Sequence, residues 1–226
     1  MSMQRMLDFL SELERNNDRD WFHAHKADYR QASADFEALV GQLNRALSAV
    51  DDAISLAEPK SLTFKLMRDT RFSHDKSPYN PSFRAHIGPQ GKLPIPVGYY
   101  LMIRPGDRSF LGGGLFADMF TDATIRVRDA IAAHGEQWAA ILAADDFAAE
   151  FTVKGTALKN LPKGYAPDHP QGRYLRHKSW YLEKSIPDRQ LLEADFVSQA
   201  TALFLKMRPF NAFLNQALAG FRMPTR

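Results

Sequence analysis

Apolar residues recur at helical spacing from Phe22 to Val50, and that stripe constrains the fold more than any other feature. Phe22, Tyr29, Ala32, Phe36, Leu39, Leu43, Leu47 and Val50 share one helix face. A helix of this length presents an apolar face that a second layer must cover. Asp18 is placed to cap its start, and Asp20 in the first turn suits the positive end of the dipole. Asp51-Asp52 ends it. A shorter amphipathic helix is expected over residues 3–14, where Met3, Met6, Leu7, Leu10 and Leu13 lie three and four apart.

The periodicity then changes. Residues 61–68 read as a strand, with Leu62, Phe64 and Leu66 alternating with Thr63, Lys65 and Met67. A polar loop leads to a short strand at 82–88. Residues 97–104, VGYYLMIR, are rich in strand formers. Pro105-Gly106-Asp107 marks a turn, and 109–116 returns as the hairpin partner. That second strand contains Gly112-Gly113-Gly114, which points to a bulge or a close backbone approach. A helical region at 121–143 divides near Gly135, and 145–151 forms a further short turn. An irregular stretch covers 152–172, and 178–185 is another strand. The last helical region, 189–219, should kink or split at Pro209. No repeat or linker interrupts this order. The expectation is one α+β domain over residues 1–226, a mostly antiparallel sheet packed against N-terminal and C-terminal helices.

Composition narrows the chemistry. The 226 residues include no cysteine, which excludes disulfides, a thiol nucleophile and thiolate metal sites. The start carries no apolar run of signal-peptide type, and no stretch is apolar enough to span a membrane. A cytoplasmic protein without membrane association is expected. The net charge of +3 is small, but its distribution is uneven. Residues 1–59 hold 6 basic and 11 acidic side chains, and 60–110 hold 9 and 3. Residues 111–152 hold 2 and 7, and 153–190 hold 8 and 3. If the basic blocks meet, they make a surface that attracts anions; otherwise acidic helices neutralise them.

Two polar clusters sit in the basic blocks. Residues 68–80, RDTRFSHDKSPYN, form a loop by composition, yet hold Arg68, Asp69, Arg71, Lys76 and Tyr79. Arginine suits bidentate contact with carboxylate or phosphate, and lysine suits a point-charge contact. Asp69 could orient a neighbouring arginine. The alternative is an ion-paired loop that only clamps two strands. Residues 165–178, YAPDHPQGRYLRHK, bring His169, Arg176 and Lys178. Asp168 beside His169 suggests an oriented base, although a loop-capping histidine is the plainer reading. Between the clusters, Tyr100 and Arg104 share the polar face of one strand, and Arg84 and His86 a face of another. Together they could line a polar site beside the 68–80 loop. His23 and His25 lie on different sides of a helix and make no metal site. No HExxH, EF-hand, Walker A, GxSxG or GxGxxG pattern occurs.

Five stretches carry a resemblance: FLSELERNNDRDWFHAHKADY, RDTRFSHDKSPYN, GYYLMIRPG, FLGGGLF and LKNLPKGYAPDHPQGRYLRHKSW. Together they resemble the domain-of-unknown-function 2461 family across nearly the whole chain. His25 departs from it, standing where a WFxxNK pattern has Asn. The resemblance implies a compact single domain and brings no activity, substrate or cofactor. The residues themselves point to a small anionic ligand, possible phosphate groups included, held by Arg68, Arg71, Lys76, Tyr79, Arg104, Arg176 and Lys178. His86 or His169 would serve as base if the protein is an enzyme. The alternatives are a nucleic-acid-binding module, using Phe72, Tyr79, Tyr99, Tyr174 and Trp180 for stacking, and a non-catalytic interaction domain. Neither a cofactor nor an oligomeric state is implied.

Overall fold

The computed structural model describes residues 1–224. Ser2 opens α1 (Met3–Arg15), its hydroxyl accepting from the Arg5 amide at 3.2 Å, an N-cap bond. Met6, Leu7, Phe9, Leu10 and Leu13 are buried. The long stripe proves to be two helices, α2 (Arg19–Ala24) and α3 (Lys26–Ser48), which divide at His25. Asp18 caps α2, accepting from the Trp21 amide at 2.8 Å. At the division His25 leaves helical geometry, with φ −101° and ψ 23°. His25 Nδ1 lies 2.8 Å from the Trp21 carbonyl, and the two rings stack at 4.1 Å. The His25 amide donates to the same carbonyl at 3.0 Å, so the side chain adds to the main-chain bond there. α3 buries Ala32, Phe36, Leu39, Leu43 and Leu47 but stops short of Val50, which is exposed.

Residues 61–68 are not a strand. α4 (Pro59–Leu62) is a single turn with Pro59 in its first position, where a missing amide costs nothing. Thr63 Oγ1 closes it on the Lys60 carbonyl at 3.0 Å. The chain then changes partner, with Thr63 bridging Ala85 and Met67 bridging Tyr79. Neither pairing continues far enough to form a ladder.

The sheet is antiparallel, in the order β1 (Phe83–Ile87), β2 (Tyr99–Ile103), β3 (Ser109–Leu115) and β4 (Trp180–Ile186). With the helices at both ends of the chain, it makes the expected α+β class. On β2, Tyr99, Leu101 and Ile103 are buried while Tyr100 and Met102 are partly exposed, the alternation of a half-buried strand. The remaining helices are α5 (Thr121–Ala133), α6 (Gly135–Ala143), α7 (Asp145–Ala148), α8 (Gly172–Leu175), α9 (Asp188–Leu191) and α10 (Phe196–Ala217). α10 runs through Pro209 without splitting. Phe204 and Met207 before the proline, and Phe210, Phe213 and Leu214 after it, are all buried. Their burial outweighs the roughly 3 kcal/mol that an interior proline costs.

The chain forms two compact units. The first comprises Met1–Ile87, Tyr100–Leu111 and Ser185–Ala202; the second comprises Gly88–Tyr99, Gly112–Lys184 and the chain from Leu203 onward. In the first, α1 and α2 pack on α3, and Phe36 stacks on Phe83 at 5.2 Å. In the second, Trp138 packs on Phe210 and Phe213 at 5.4 and 5.1 Å, and Tyr99 packs on Phe204 at 5.1 Å. Among the described residues, no helix is long and apolar enough to cross a membrane.

Candidate functional site

The first unit holds a cleft of about 820 Å³ between the start of α2 and the 68–80 loop. Asn17 joins the two segments across 62 residues of sequence. Its amide donates to the Tyr79 carbonyl at 2.9 Å, and its carbonyl oxygen accepts from the Tyr79 amide at 3.1 Å. That pair copies the hydrogen bonding of a strand neighbour. Phe22 then stacks on Tyr79 at 4.1 Å and 17°. The ends of the loop are also tied: the Arg68 amide donates to the Pro78 carbonyl, and the Asn80 amide to the Leu66 carbonyl.

Within this frame the loop orders its own charges. Arg68 pairs with Asp75 and donates to the Ser73 hydroxyl and the Ser77 carbonyl, both at 3.3 Å. The Asp75 carboxyl is held well below the usual range, first by the Ser77 hydroxyl and amide and then by Arg68. Lys76 Nζ donates to the Thr70 carbonyl at 3.0 Å. Arg71 forks onto Asp69, with Nε and Nη2 donating at 3.0 and 2.6 Å. That pair is largely exposed, and Arg71 lowers the Asp69 pKa.

The cleft lining is strongly positive. Arg19, Lys26, Arg68 and Lys76 line it, with Asp18 the opposing carboxylate. Asp18 is engaged in capping α2. Arg19 and Lys26 form no ion pair within the described residues. A concave wall carrying four cations, of which Arg68 is paired with Asp75, and one capping carboxylate focuses a field that attracts anions.

Of the residues singled out in the sequence, Arg68, Lys76 and Tyr79 line this cleft. Three others lie elsewhere in the first unit. His86 is buried on β1. The Tyr100 ring stacks on Phe110 at 5.6 Å. Arg104, together with Arg108, clamps Glu14. Arg108 first, and then Arg104, holds the Glu14 carboxyl down at about 2. His169, Arg176 and Lys178 belong to the second unit. His169 Nδ1 accepts from the Gln171 amide at 3.0 Å, and Nε2 lies 3.3 Å from the Ala132 carbonyl. Both ring nitrogens thus face main-chain groups rather than Asp168, which is loop capping and not carboxylate orientation. Arg176 is exposed, and Lys178 Nζ lies 3.7 Å from Asp118.

Arg19 and Lys26, which the sequence did not single out, line the cleft, as does His23, weighed there only as a metal ligand. The signal was present, since positions 19, 22, 23 and 26 share one helical face. Arg128 was also missed. It is 7% exposed and donates from Nε and Nη2 to the His177 carbonyl at 3.0 and 2.8 Å.

A family model described as "Conserved hypothetical protein (DUF2461)" matches residues 5–213. No curated protein and no solved structure matches the chain.

Proposed function

The chain belongs to the family of conserved hypothetical proteins DUF2461, whose description names no reaction, and we propose that it binds a small anionic ligand in the cleft of its first unit. The observation that carries this reading is the lining: Arg19, Lys26, Arg68 and Lys76 converge on one concavity with a single, capped carboxylate. Each has a distinct part. Arg68 is fixed by Asp75 and presents an oriented guanidinium. Lys76 and Lys26 act as point charges, and Arg19 offers a second fork. Tyr79, its main chain held by Asn17 and its ring stacked on Phe22, forms the wall.

Titration calorimetry with inorganic pyrophosphate tests the reading. Wild type is expected to bind, with affinity falling as salt rises. Arg19→Ala and Lys76→Ala should each weaken binding about tenfold, the loss of one charge-assisted hydrogen bond. Arg176→Ala, an exposed change in the second unit, should leave it unchanged. Equal binding by wild type and both cleft variants would overturn the proposal.

A further inference from the structure

We infer that the anion taken by this cleft belongs to a nucleotide, with its phosphates on the cationic wall and its base on Phe72. The inference rests on the anion-binding reading of the cleft and adds the identity of the group the anion carries. Its first support is size. At about 820 Å³, the cleft is in the range of pockets that hold organic ligands, roughly 300–1,000 Å³. That volume has room for more than a bare phosphate, and Phe72, which does not itself line the cleft, stands two residues beyond the lining residue Thr70.

The second support is Phe72, which is 95% exposed. It sits in a tight turn closed by the Ser73 amide donating to the Thr70 carbonyl at 3.3 Å. Thr70 itself lines the cleft, and Lys76 Nζ bonds the same carbonyl. The turn that presents Phe72 is therefore tied to the cationic wall. The ring has no aromatic partner among the described residues, so its face is open to a planar group. The Arg71 guanidinium lies 5.8 Å from the ring centroid and is anchored by Asp69. An aromatic ring flanked by a fixed guanidinium and adjoining ammonium groups is the combination that holds a base and its phosphate together. Met67, 70% exposed, gives the cleft itself an apolar edge.

Calorimetry with pyrophosphate, ADP and a short oligothymidylate separates the possibilities. Wild type should bind ADP at least about tenfold more tightly than pyrophosphate, the gain expected from one stacked base. Phe72→Ala should lose that factor and keep its pyrophosphate affinity. The substitution removes only an exposed side chain, so folding is preserved. Phe72→Trp should retain the preference for ADP, and ADP should quench its added fluorescence. Tighter Phe72-dependent binding of oligothymidylate would support a single strand as the source of the nucleotide, and a preference for ADP would support a free nucleotide. Equal affinity for ADP and pyrophosphate, or a Phe72→Ala variant that still prefers ADP, would overturn this inference and leave the cleft reading standing. Failure of wild type to bind either compound would overturn both.

Discussion

At position 177 burial overrides the ordinary behaviour of histidine. His177 is 7% exposed, and a Cβ placed on Gly155 would lie 2.6 Å from its Nδ1 and 1.9 Å from the Ser179 carbonyl oxygen. The surroundings are also positive. Its pKa is pushed below the usual value, first by burial and then by Arg173, with smaller contributions from Arg176 and Arg128. The fold therefore favours the neutral ring. The stability that depends on it is complete above the unfolded pKa, near 6.5, and is lost as pH falls through the lower folded value. Urea midpoints measured from pH 7.5 to 5 should decline, and His177→Gln should flatten the decline. An unchanged slope in the variant would remove His177 as the cause. Glu14, held near 2 by its two arginines, titrates outside this window. None of this was legible from the sequence, where His177 stood only as one polar residue of a basic stretch. Arg68, Lys76 and Tyr79 were legible, because a loop so rich in charge and so poor in apolar residues has little to bury. Arg19 and Lys26 were hidden by an apolar stripe that made their helix look like a core element.

The elements themselves followed local pattern except where a distant contact or a side chain intervened. α1, the β2–β3 hairpin and β4 lie where periodicity put them. The 22–50 helix divides at His25, whose φ of −101° and ψ of 23° leave the helical region, a departure that helix propensity does not encode. The 61–68 strand failed because its pairing is split between Ala85 and Tyr79. The triple glycine of β3 points to a bulge or a close backbone approach, and the structure shows a close approach. Gly114 has a φ of +94°, and an added Cβ would lie 2.4 Å from the Trp180 carbonyl oxygen and 2.7 Å from Phe210. Gly114→Ala should lose more than about 2 kcal/mol in chemical denaturation, since both backbone strain and a main-chain clash oppose it. Gly113→Ala should cost less. Its nearest neighbour is the Met207 sulfur at 3.0 Å, the adaptable part of a flexible side chain. The reverse order would show that β3 does not hold this register.

Across the whole molecule, β2, β3, β4 and α10 each contribute residues to both compact units. Four of the five boundaries between the units cut through a strand or a helix, and we expect the chain to unfold as one domain. Trp21→Phe leaves Trp138 and Trp180, both in the second unit, as the fluorescence reporters. Hydrogen exchange of α3 amides reports on the first. Coincident stabilities are expected, and separated ones would mean two domains. The sequence by itself determined the α+β class, most element positions, the inward faces of α1, α3 and β2, and the family. Those properties depend on periodicity and turn chemistry, which act over a few residues. Only the tertiary structure decided where the charges converge. The cleft exists because Asn17 grips Tyr79 and Phe22 stacks on it. Contacts spanning some sixty residues are set by how whole elements pack, and no local pattern specifies which polar side chains that packing will gather.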